Sequence, residues 1–274
     1  MFSFTRLCFA KSPPSNYCSA MARVPRKKRL LLAILLTLVL VGMVDSFVKH
    51  SVMADWRTAN RESAGIAPDP ELTSEAVVQV YVARAFSWRG WFGVHTWIAT
   101  KATGADAYTV YQVVGWRVFH GGGDSAVAIG ESAPDRRWFG SDPKIIVDLR
   151  GDGVDEVIKR IDGAARRYPY ADQYVLWPGP NSNTFTAYIG REVPELKLDL
   201  PPTAIGKDFL TNGRFFDASP SRTGYQVSLY GLFGLLAGVE EGLEINILGL
   251  TFGVDAKDLA LKLPVAGRVG FQEN

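Results

Sequence analysis

Hydrophobic positions fall along this chain in three patterns, and each predicts a different kind of element. The first is a block. From Leu30 to Val44 the sequence reads LLLAILLTLVLVGMV, fifteen residues without a charge, and the run reaches nineteen residues at Val48 before Lys49. About 20 apolar residues span a bilayer core, so residues 30–48, from Leu30 to Val48, predict a transmembrane helix. The second pattern is β-branched and aromatic. Residues 77–83 (VVQVYVA), 91–99 (WFGVHTWIA) and 108–118 (YTVYQVVGWRV) predict three strands, the last two able to pair as a hairpin through the turn at Gly104-Ala105-Asp106. The glycines at 121–123 then end this sheet segment. The third is helical. Val154, Val157, Ile158, Ile161, Ala164 and Ala165 recur at i, i+3, i+4, i+7 and predict an amphipathic helix over 154–168, stopped by Pro169. A short strand over 173–177 leads through Pro178-Gly179-Pro180 to a second helix over 184–193, closed by Pro194. From Tyr225 onward, alternation such as Leu243-Glu244-Ile245-Asn246-Ile247 between glycines reads as a β-meander.

Charge sharpens the first pattern. Residues 1–29 carry seven basic groups and no acidic one, which leaves 23 basic against 28 acidic groups over 30–274. The cluster Arg26-Lys27-Lys28-Arg29 abuts the apolar run, so the N-terminus is expected in the cytoplasm and the rest outside. A retained signal anchor is favoured over a cleaved signal peptide, because the run exceeds the usual h-region, although Val52-Met53-Ala54 would serve as a cleavage site. Met21 would make a more usual start for such a segment. The overall basic balance resides in the tail, which argues against nucleic acid as a partner.

Composition excludes more chemistry than it suggests. Both cysteines, Cys8 and Cys18, precede the apolar run, so the downstream domain has no disulfide framework, thiolate zinc site or cysteine nucleophile. Neither a cofactor nor a metal is called for. Residues 148–153 lack the third-position acid of a calcium loop, Gly206-Lys207-Asp208 is no phosphate loop, and no serine sits in a G-x-S-x-G elbow. Trp88, Trp91, Trp97, Trp116, Trp138 and Trp177 suit a core, while a groove for lipid or glycan could use some of them.

Of the three histidines, His50 flanks the apolar run, His120 precedes three glycines, and His95 lies within a strand. Ser182, in Asn181-Ser182-Asn183-Thr184-Phe185, stands at or near a helix N-cap, where serine satisfies orphan N–H groups. The same position places a hydroxyl where the helix dipole would favour an alkoxide. Ser182 as nucleophile and His95 as its base is therefore the candidate catalytic pair.

Several stretches resemble an uncharacterised bacterial family of domain-of-unknown-function type. They include Trp88-Arg89-Gly90, the eight residues 94–101 (VHTWIATK), Trp138-Phe139-Gly140, residues 178–185 (PGPNSNTF) and residues 201–208 (PPTAIGKD). The resemblance implies a membrane-tethered bacterial protein and brings no known activity. The order of a His-bearing strand, further strands, a helix, a Tyr-containing strand and Asn-x-Asn-x-Phe also resembles the permuted papain-like, NlpC-type hydrolases and acyltransferases. That likeness puts His95 at the base and Ser182 at the position of the family's cysteine. Asn181 and Asn183 would flank a bound substrate, and Gln112 would orient the histidine. The expected fold is α+β: a permuted papain-like sheet with packed helices over 74–210 and a β-rich C-terminal meander over 211–274. Before these lie a basic tail (1–29), the transmembrane helix (30–48) and a linker (49–73). A serine alkoxide forms less readily than a thiolate, so a non-catalytic binding or scaffolding module is favoured. The alternative is a serine-dependent amide or ester hydrolase or acyltransferase acting on peptidoglycan or lipid. The expected location is the bacterial inner membrane, single-pass, with the domain in the periplasm; the oligomeric state stays open.

Overall fold

A computed structural model describes residues 56–119 and 124–270. The predicted anchor over 30–48, both cysteines, His50 and residues 120–123 lie outside the described residues. Among the described residues no helix is long and apolar enough to cross a membrane.

Five strands form the first sheet, in the order β4-β3-β2-β1-β5: β1 (Val77–Arg84), β2 (Val94–Lys101), β3 (Thr109–Val113), β4 (Val127–Glu131) and β5 (Lys144–Arg150). Every neighbouring pair is antiparallel. The expected β2–β3 hairpin forms, with Ala99 opposite Val110. Two expectations are corrected here. The sheet does not end at the glycines, because β4 and β5 follow them. The third strand stops at Val113, and Trp116–Phe119 instead makes one helical turn. Gly115 lies at that break, where a Cβ would run into the ring of Tyr174.

Residues of β1 are buried on both faces, in keeping with their near-continuous apolar run. Val78, Val80 and Ile98 face the two helices, α1 (Val154–Arg166) and α2 (Ser182–Glu192), and pack with Ile161, Phe185 and Ile189. The stripe predicted for α1 is its buried face. Tyr81, Ala83, Trp97, Ala99 and Val110 form a second cluster on the opposite face. There Tyr81 and Trp97 stack with ring centroids 5.4 Å apart. Residues 173–177 form no strand. Val175, Leu176 and Trp177 are exposed, and the Trp177 indole N–H donates to the carbonyl of Leu248 rather than to a sheet.

Beyond α2 the chain folds into a seven-stranded meander in sequential order: β6 (Phe216–Ala218), β7 (Gly224–Leu229), β8 (Phe233–Gly238), β9 (Gly242–Ile247), β10 (Leu250–Asp255), β11 (Ala260–Leu263) and β12 (Gly267–Gly270). The predicted alternation is present with its polarity reversed. Gln226, Glu244, Asn246, Thr251, Asp255 and Lys262 are buried, whereas Val227, Leu235, Leu243, Ile245, Phe252 and Leu261 are exposed. Register pairs Ala218, Tyr225, Ala237, Leu243, Val254, Leu261 and Val269 in one row across all seven strands.

Charge pairing and hydrogen bonds make the reversal tolerable. Glu244 takes Lys207 on one oxygen and Lys262, at 2.9 Å, on the other, and Lys262 also reaches Asp199 at 2.7 Å. Asp208 accepts from Gln226 and, at 2.7 Å, from Asn246. Arg191 at the end of α2 donates to Gln226 and to the carbonyl of Ala218. The sheet is therefore attached to residues 191–208 by a buried ionic network rather than by an apolar core. Burial alone would raise the Glu244 carboxyl, but Lys207 and Lys262 outweigh it and hold it below its ordinary range. Burial would likewise lower Lys207, but Asp208 and Glu244 hold its ammonium above the ordinary range. Both directions favour the charged forms in the folded state. Their contribution is present at neutral pH, is lost as pH falls through the carboxylate range, and is lost again as pH rises beyond the lysine range. Lys207→Met, which strands Glu244 with one cation fewer, should destabilise the protein by about 3–5 kcal/mol in urea unfolding at pH 7.

Candidate functional site

Of the residues expected to act, strand β2 carries His95, and its pleat sets that side chain on the opposite face from Thr96. Successive side chains of a strand point to opposite faces. Thr96 turns toward α2: its hydroxyl lies 2.9 Å from Thr186 Oγ1 and 3.0 Å from Asn183 Oδ1. His95, one residue earlier, turns the other way with Trp97. Its imidazole lies flat on the Trp138 indole, centroids 3.5 Å apart and planes 11° from parallel. His95 Nε2 is 3.2 Å from Gln112 Oε1, so this nitrogen carries the proton and donates. The structure thus brings Gln112 to His95 as expected and does not bring Ser182 to it. Among the described residues no hydrogen bond joins Ser182 and His95, and the His95 imidazole stacks on Trp138 on the face of β2 opposite Thr96, which meets the helix. The arrangement shows no hydrogen-bonded path for a proton between the two.

The helix start explains why. Asn181 is the N-cap of α2: its Oδ1 accepts from the amides of Asn183, at 2.9 Å, and Thr184, at 3.2 Å. Thr184 Oγ1 closes the capping box by accepting from Asn181 N at 3.1 Å. Asn181 Nδ2 donates to the carbonyls of Leu176 and Ile205, both at 3.0 Å. Asn183 Nδ2 donates to Val94 O at 3.0 Å and Ile205 O at 2.8 Å. The two asparagines assigned to substrate have both ends of their amides engaged in joining α2 to β2 and to the loop at 205–206. Ser182 is the first helical residue, not the cap. Gly206 (φ +99°) is required beside this clamp, since a Cβ there would collide with the Asn181 amide.

On the His95 face a cavity of about 160 Å³ opens, lined by Trp97, Gln112, Trp116, Trp138 and Phe139, and by Arg61, Arg136 and Arg137. Trp116 stacks on Trp138 at 5.7 Å, and Phe139 meets Trp138 edge-on. The Arg61 guanidinium sits 4.3 Å from the centre of the Phe139 ring. Arg136 Nε donates to Arg61 O at 2.8 Å, and Arg137 pairs with Asp142 at 2.7 Å. Among the described residues Arg61 and Arg136 have no carboxylate partner, and no acidic side chain lines the cavity. Arg61 comes from the stretch expected as linker, which is in fact held to the domain. Asp135 accepts from Ser63 Oγ at 2.6 Å, Ile66 N at 2.7 Å and Ala67 N at 3.2 Å. The arginines gave no signal in the sequence beyond ordinary surface charge; the density of tryptophans was the legible part.

Residues 75–209 match the model of a family described as protein of unknown function (DUF3750). The match ends just beyond the Gly206 clamp and leaves out both Arg61 and the seven-stranded sheet. No curated protein matches the chain, and no solved structure does.

Burial lowers the His95 pKa to about 3, with the Gln112 bond acting weakly in the other direction. The unfolded chain therefore binds a proton at higher pH than the folded one does. Stability is full above about pH 6.5 and falls, by up to about 1.4 kcal/mol per unit, as pH drops toward 3. His95→Phe, which retains the stack on Trp138, should remove that part of the slope in unfolding curves recorded between pH 4 and 7. For the helix start, Asn181→Ala should destabilise by more than about 2 kcal/mol, because a cap and two further hydrogen bonds are lost. Ser182→Ala should change stability by less than about 1 kcal/mol, and thermal unfolding of the two variants compares them directly.

Proposed function

We propose that this chain is a membrane-tethered envelope protein of bacteria that binds a small ring-bearing anion in the cavity beside His95. The observation that carries the reading is the cavity's composition: three arginines beside aromatic walls, of which Arg137 is paired with Asp142 while Arg61 and Arg136 have no carboxylate partner among the described residues, and no acid among the lining residues. Aromatic faces take a planar or sugar ring, and guanidinium groups take a carboxylate or phosphate bidentately. A cavity near 160 Å³ admits one ring rather than a polymer. The occupant is then the end or a single unit of a peptidoglycan- or lipid-derived molecule. Support for the tether is the apolar run over 30–48 with its basic flank, which orients the domain to the periplasm. In this reading the likeness to papain-like enzymes is one of element order, and Ser182 takes no chemical part. His95, neutral and covered by Trp138, orients Gln112 and the indole that form the cavity wall.

The test is titration of the full chain in detergent with benzoate and with glucuronate, each one ring with one carboxylate, followed by tryptophan fluorescence. Saturable binding of either is expected, weakened about tenfold or more by Arg136→Gln, since a charge-assisted hydrogen bond contributes roughly 1.5–3 kcal/mol. Ser182→Ala should bind like the parent. Failure of both probes to bind, or an Arg136→Gln variant with unchanged affinity, would sink the proposal.

A further inference from the structure

We infer that the open face of the seven-stranded sheet is covered by a second copy of this chain, the two sheets closing face to face as halves of one sandwich. An antiparallel sheet with one face in water carries its polar residues on that face. Here the polar residues are on the buried face, engaged with Lys207, Asp208 and Asp199, and the outward positions of β7 to β11 hold no charged side chain. The inward face is thus already satisfied by its own chain. The outward face has the composition of a core.

Size is adequate for a stable pair. The 35 residues of the seven strands, each about 3.4 Å long and about 4.8 Å wide, give a flat footprint of roughly 570 Å². That equals the largest apolar patch of an ordinary monomer, about 300–600 Å², before any side-chain relief is added. Two such faces in full overlap exclude roughly 1,100 Å² from water before side-chain relief is counted, above the roughly 1,000 Å² that a specific interface should clear. The relief itself points to a protein rather than a lipid occupant. In the row Tyr225, Ala237, Leu243, Val254, Leu261 and Val269, large side chains adjoin a small one, which leaves a hollow at Ala237 between Tyr225 and Leu243. Two packed sheets interdigitate through such relief, whereas a bilayer needs only an apolar outline. A face that meets its own copy closes by a two-fold axis, which leaves no sticky surface exposed.

Because the domain lacks cysteine, the contact can be tested by single-site cross-linking. In the full chain, with Cys8 and Cys18 replaced by Ser, cysteine is placed at one outward position at a time: Leu235→Cys, Ile245→Cys or Val254→Cys. Lys144→Cys on β5 serves as the control. Mild oxidation in membranes of expressing cells should give a dimer of twice the chain mass for outward positions near the axis and none for the control. Ile245→Glu should halve the mass found by light scattering of the purified full chain, with its thermal transition retained. No dimer from any of the three outward positions would overturn the inference. So would quenching of a bimane at Ile245→Cys by doxyl-labelled phosphatidylcholine, which would mark a lipid face, or capture of residues 30–48 of the same chain by a photo-cross-linker at that cysteine.

Discussion

The period of two along β2 governs this molecule. Thr96 must face α2, because its hydroxyl meets Thr186 and Asn183 in a site where an unpaired polar atom would carry a full desolvation penalty. Once Thr96 is so placed, Val94 and Ile98 follow it toward the helices, and His95 and Trp97 are committed to the opposite face. The helix start is tied to the same strand through Asn183 and the carbonyl of Val94. One strand therefore assigns a helical, structural side and an aromatic, cavity-bearing side, and a shift of one residue would exchange them.

That constraint also explains what the sequence could and could not disclose. The nearness of Gln112 to His95 was legible, because two strands joined by a short turn pair as a hairpin. Which way His95 points was not. In Val94-His95-Thr96-Trp97-Ile98-Ala99 both sets of alternate residues are largely apolar, so a strand buried on both faces carries no mark of which face is which. Residues 173–177 have strand composition, yet no free sheet edge meets them, and composition cannot report an absent partner. In the C-terminal half the alternation revealed the strands but not their polarity. Apolar side chains normally point inward, and only the long-range partners Lys207, Asp208 and Asp199 reverse that. The two helices were read closely, because their signals are local: a stripe at helical spacing, a cap and a proline.

The motif that first drew attention to chemistry thus acts as a joint. Asn181, Asn183 and Thr184 complete the hydrogen bonds of a helix start, a strand end and a loop at once, and few of their polar atoms remain to offer a ligand. In the proposed reading, binding falls instead to the aromatic and guanidinium groups on the far side. These come from β2, β3, the Trp138 turn and the segment around Arg61, which are distant in sequence. Such a site leaves no compact signature.

The attachment of residues 63–67 to Asp135 has a mechanical meaning. Tension reaching Trp56 from the N-terminal side would load the Gly140 N–Asn60 O bond and Arg61, then the Arg137 N–Glu62 O and Ala64 N–Asp135 O bonds with the three hydrogen bonds on the Asp135 carboxylate, before any strand of the two sheets is engaged. Those bonds lie in series with the pull and would open one after another, like a zipper, while both sheets stayed folded. Arg61 would leave the Phe139 ring in that first movement, so the wall of the cavity nearest the N-terminus is also the part of the domain most sensitive to force.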